Sequence, residues 1–110
     1  MFIIVVETIY DEDMNVVVGQ KVRLPCNGLS NNSSVRWQYR QTKLSNPQLI
    51  VSANGDKTVV FQPSGRFAAN RTSFNTFTLI IYEVQMTDLG FYGCVANNTY
   101  RITRLSVQRK

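Results

Sequence analysis

Two cysteines, Cys26 and Cys94, stand far apart in the chain, and the only tryptophan, Trp37, lies between them, soon after the first. Two readings are open for such a pair. One is a bridge kept by an oxidising compartment; the other is two unrelated buried thiols in a reducing one. There is no histidine and no third cysteine, so the pair cannot belong to a metal cluster of the usual kind.

The spacing of the remaining apolar residues is that of strands. β-Type runs at residues 2–7, 14–18, 21–26, 34–41, 48–52, 58–62, 74–82, 90–96 and 101–107 are separated by Gly, Asn and Pro turn signals such as Gly19-Gln20, Asn27-Gly28 and Asn54-Gly55-Asp56. No long stretch has helical periodicity, and there is no internal repeat or linker. In Val22-Arg23-Leu24-Pro25-Cys26 the apolar residues fall on one face, and the same period selects Phe77, Leu79 and Ile81. The expectation is an all-β sandwich of about nine strands in two sheets, one domain over residues 1–110. The apolar run 2–6 is far too short to span a membrane, which takes roughly 20 residues.

The segment Asp88-Leu89-Gly90-Phe91-Tyr92-Gly93-Cys94 places Tyr92 two residues before the second cysteine, where its ring can pack inward and its hydroxyl can reach backbone upstream. Together with residues 19–26, 37–41 and 47–51, Arg66-Phe67 and residues 77–94, it resembles the framework of a variable-type (V-set) immunoglobulin domain, and the likeness covers most of the chain. The resemblance implies a Greek-key sandwich with Cys26 and Cys94 bonded and with Trp37, Tyr92 and Leu79 in the core. It also implies that Arg66 pairs with Asp88 at the base, as a stabilising contact. Two departures stand out. The segment Thr99-Tyr100-Arg101-Ile102 lacks the Phe-Gly-x-Gly of a joining segment, which points to a non-rearranging receptor or adhesion molecule. Gly93 sits where antibody domains often carry an aromatic residue of the chain-pairing interface, so packing through this face must use other contacts.

Because Trp37 and Cys94 point inward, alternation turns Gln38, Arg40, Phe91, Gly93 and Val95 outward. The resemblance adds Leu49, Ile102 and Arg104 to the same face. The result is an apolar patch of Leu49, Phe91, Val95 and Ile102, rimmed by Gln38, Arg40 and Arg104, which has the anatomy of an interface. Acceptor patterns for N-glycosylation begin at Asn31, Asn32, Asn70 and Asn97. Glycans at Asn31, Asn32 or Asn97 would hinder recognition through the loops and leave the sheet face clear.

The chain carries twelve Lys and Arg against seven Asp and Glu, for a formal charge of +5. The basic residues are scattered singly, without the run or stripe that would track nucleic acid. Nothing provides a nucleophile with its base, a phosphate loop, a cofactor site or a small-molecule substrate site, so no enzyme is expected. The acidic run Asp11-Glu12-Asp13 reads as a solvated turn, since adjacent carboxylates on extended chain point to alternate sides. The leading expectation is an extracellular recognition module of a germline-encoded immune-type receptor, binding a protein ligand through one sheet and tied to a membrane only by an anchor outside this sequence. A homophilic adhesion domain binding a second copy of itself and a secreted glycan-binding defence protein are the alternatives.

Overall fold

Alternating burial organises the strands of the computed structural model, which describes residues 10–27, 29, 34–54, 57–62, 65–73, 75–96 and 99–110. Nine strands occur among the described residues. They are β1 (Tyr10–Val17), β2 (Val22–Cys26), β3 (Val35–Arg40), β4 (Gln48–Asn54), β5 (Lys57–Val60), β6 (Phe67–Ser73), β7 (Thr76–Ile81), β8 (Gly90–Ala96) and β9 (Thr99–Gln108). A six-stranded sheet has the order β1-β9-β8-β3-β4-β5, and a three-stranded sheet has the order β2-β7-β6. The pairing of β1 with β9 is parallel, whereas β2 with β7, β3 with β8 and β8 with β9 are antiparallel.

Two expectations change, and one lies beyond what the structure describes. The run 2–7 lies outside the described residues. A strand that the sequence pattern did not mark, β6, pairs with β7 along its length. The acidic run is no turn, because Glu12 and Asp13 belong to β1, opposite Thr103 and Arg104 of β9. A register shift between Tyr10 and Glu12 absorbs the residue between them.

The inner faces of the two sheets meet in a core that includes Leu24, Trp37, Ile50, Val51, Phe77, Leu79, Ile81, Tyr92 and Leu105, each no more than 1% exposed. Cys26 of the small sheet is bonded to Cys94 of the large one, with their Cα atoms 6.2 Å apart, and both are fully buried. One break in strict alternation shapes the core. A register shift between Trp37 and Gln38 lets the consecutive residues Ile50 and Val51 of β4 both turn inward. At the far edge of the large sheet β5 is exposed along all four residues.

The base of the sandwich is closed by a polar cluster. A short 3-10 turn, Met86–Asp88, leads into β8. The carboxylate of Asp88 accepts from the Arg66 guanidinium and from the Gln85 backbone N–H at 2.7 Å. The Tyr92 hydroxyl donates to the Asp88 carbonyl at 2.6 Å, and the Tyr39 hydroxyl donates to the Leu89 carbonyl. The two phenol rings lie 5.0 Å apart, tilted. Gly90 follows at φ 145°, where a Cβ would stand 2.6 Å from the Tyr39 ring and 2.7 Å from the Arg40 carbonyl oxygen, so only glycine admits the close approach.

Burial, with the negative charge of Asp88 as the second cause, holds the Tyr92 phenol well above the usual tyrosine range. Below about pH 10 folded and unfolded chains both keep that proton, so it has no effect on stability. Above that value the unfolded chain releases it while the folded domain retains it, and stability falls by up to about 1.4 kcal/mol per pH unit. Denaturant unfolding between pH 9 and 12 should therefore show a shallower alkaline loss for Tyr92→Phe than for the parent chain. At neutral pH the same change should cost about 0.5–1.5 kcal/mol for the lost hydrogen bond. Replacing Cys26 and Cys94 together by Ala should cost about 2–5 kcal/mol in the same assay. Two free thiols found by mass spectrometry in unreduced protein would contradict the bridge.

Candidate protein-binding face

Each core-facing residue along β3 and β8 sends its neighbours to the opposite side of the sheet, away from the core. Val35 and Trp37 are buried, so Arg36, Gln38 and Arg40 project outward from β3. Cross-strand pairing then sets the outward residues in three rungs. The first is Ser52, Arg36, Val95 and Tyr100; the second is Leu49, Gln38, Gly93 and Ile102; the third is Arg40, Phe91, Arg104 and Asp13. The seven residues expected on this face from sequence therefore do lie within one set of rungs.

Their exposure differs from the expectation. Ile102 was foreseen as an exposed member of an apolar patch, yet it is only 6% exposed. It lines a small hollow of about 10 Å³ together with Gln38, Arg40, Phe91, Gly93 and Tyr100. Leu49, Phe91 and Val95 are half-buried. The large exposed apolar side chain on these rungs is Tyr100, at 50%. Tyr100 also accounts for Gly93, since a Cβ at that position would stand 3.3 Å from the Tyr100 hydroxyl. Its aromatic body covers the space that a side chain on β8 would otherwise fill. Tyr100 stands two residues before Ile102 and shares its parity on β9, so the resemblance that placed Ile102 on this face carried Tyr100 with it and the signal was present in the sequence.

Charge on the face is unbalanced. The Arg104 Nε lies 2.8 Å from the Asp13 Oδ1, with both side chains more than half exposed. Neither Arg36 nor Arg40 pairs with a carboxylate among the described residues. Of the glycosylation candidates, Asn70 is exposed on β6, in the other sheet. Asn31, Asn32 and Asn97 lie outside the described residues.

A family model for the immunoglobulin V-set domain matches residues 9–108. The chain belongs to that family. Among curated relatives of this V-set domain, the human T cell receptor beta variable 7-2 is 31% identical over 83 residues, which cover 72% of this chain and 70% of that protein. The human T cell receptor beta variable 7-4 is 30% identical over 81 residues, with the same coverage. Solved structures share the fold. A chain from a chicken T cell receptor structure superposes with a TM-score of 0.75 at 23% identity, covering 90% of this chain and 48% of that one. A second, from work on T cell specificity and activation by the bacterial superantigen toxic shock syndrome toxin-1, superposes at 0.71 with 22% identity, covering 87% and 92%. The V-set domain is thus a relative of immune-receptor variable domains. No helix among its described residues is long and apolar enough to cross a membrane.

The Arg104 and Asp13 pair is solvated, and such pairs contribute about 0–1 kcal/mol. Arg104→Ala should accordingly shift the denaturation free energy by less than about 1 kcal/mol, a result that chemical unfolding would check.

Proposed function

We propose that this V-set domain is an extracellular recognition module of a germline-encoded immune-type cell-surface receptor and binds a protein ligand through the outward face of β9, β8, β3 and β4. The observation that carries the reading is the combination on three adjacent rungs of an exposed aromatic, Tyr100, and half-buried Leu49, Phe91 and Val95 with arginines that have few acidic partners. Tyrosine and arginine are the residues that most often dominate binding energy at protein interfaces. The relatives are immune-receptor variable domains, and one structural neighbour comes from a study of superantigen action on T cells, so recognition of proteins suits the family. The missing Phe-Gly-x-Gly supports a chain encoded without a joining segment. Asn70 is exposed on the opposite sheet, where a glycan would not obstruct this face.

The test is a fluorescent tetramer of the domain used to stain a panel of cells, with each variant's thermal melt checked first. Phe91→Ala, Val95→Ala and Tyr100→Ala should each weaken staining by roughly tenfold or more, as the loss of an interface anchor does. Arg23→Ala, on an exposed position of β2, should leave it unchanged. Staining that survives all three face variants, but is lost on changing residues 31–34, would move recognition to the loops. Sedimentation of the domain across a range of concentrations would expose self-association if the homophilic alternative held.

A further inference from the structure

At the upper end of the same face, the exposed Arg36 stands between Ser52 of β4 and Val95 of β8. Beside it opens a hollow of about 250 Å³ lined by Ser34, Val35, Arg36, Ser52, Val95 and Ala96. The Ser34 hydroxyl donates to Asn54 Oδ1 at 3.1 Å and so links the start of β3 to the end of β4 along one wall. The hollow therefore offers a guanidinium fork, the Ser52 hydroxyl and an apolar flank from Val95 and Ala96, and no acid among its lining residues. A planar fork of N–H donors matches a carboxylate with two parallel hydrogen bonds, which a neutral group cannot reproduce. The volume has room for a carboxylate side chain and water around it.

We propose that this hollow seats an Asp or Glu side chain of the protein ligand, with Arg36 as its specific anchor; the inference rests on the binding-face reading above. The charge of the face argues for an acidic partner that is not a second copy. Arg36, Arg40 and Arg104 face outward here, and the one acid on these rungs, Asp13, is already held by Arg104. A copy docked face to face would set arginines against arginines, a like-charge arrangement that specific interfaces avoid. The formal charge of +5 on the chain acts in the same direction at long range.

The experiment is a heteronuclear NMR titration of the whole domain with two near-isosteric probes, the N-acetyl amides of glutamate and of glutamine. The glutamate probe should shift the Arg36 side-chain signal and the Val95 and Ala96 amides, with an affinity about tenfold or more above that of the glutamine probe. The response should vanish in Arg36→Gln, persist in Arg23→Gln, and weaken as salt rises to about 0.5 M. Equal response to the two probes, or retention in a folded Arg36→Gln, overturns the proposal. So does a third arm in which the methyl glycoside of N-acetylneuraminic acid binds about tenfold more tightly than the glutamate probe, since the carboxylate would then come from a glycan. The titration reads the hollow alone, whereas the tetramer staining reads the face. Staining lost in the face variants with no glutamate response refutes only the anchor; a glutamate response with staining indifferent to those variants refutes the face.

Discussion

The bond between Cys26 and Cys94 ties β2 of the small sheet to β8 of the large one through the centre of the core. Trp37 is directly opposite Cys94 in the pairing of β3 with β8, so the middle of the large sheet is registered against the same point. Everything on the outward face inherits its position from that registration. Because side chains alternate with a period of two, a slip of one residue in β3 would bury Arg36 and Gln38 and expose Trp37. The cost of burying an unpaired guanidinium makes that slip prohibitive. The inner face thus dictates the outer one.

The base cluster performs a different task. Asp88 receives the Arg66 guanidinium and the Gln85 N–H, and its carbonyl receives the Tyr92 hydroxyl. One residue therefore joins the approach to β6, the turn before β8 and β8 itself. The charged pair is more than three-quarters buried at both side chains, unlike the solvated Arg104 and Asp13 pair, and so it is shielded from the screening that weakens surface pairs. These contacts hold the strand connections in place around a core that already has its covalent link.

Most of the architecture was legible because its signals are local. Alternation in residues 22–26 and the sequence from Asp88 to Cys94 are each short patterns with one physical meaning. What escaped was decided by partners distant in sequence. In Phe67–Ser73, small and polar residues give no two-residue period, and β6 forms because β7 offers a well-defined ladder beside it. In β4, the shift opposite Trp37 turns both Ile50 and Val51 inward, which no strict alternation could foresee. The acidic run was read by its charge, yet extended chain beside β9 satisfies its backbone and places Asp13 against Arg104. On the candidate face, periodicity and the resemblance together gave membership of the rungs, whereas exposure followed from neither. Ile102 is covered by the side chains around it, and coverage depends on the size of neighbours across the ladder. Arg36 had the right parity from the start, and only the hollow beside it distinguishes it from other scattered basic residues.

The placement of Tyr100 over Gly93 separates two duties that a single strand would otherwise carry. β8 holds the cysteine, the tyrosine of the base, the glycine that admits Tyr39 and the glycine beneath Tyr100, so four of its seven positions are structurally constrained. The contour at the middle of the outer face is drawn instead by a side chain of β9, a strand with no comparable covalent obligation. Changes of specificity can accumulate there, one residue at a time, while the scaffold beneath is left undisturbed.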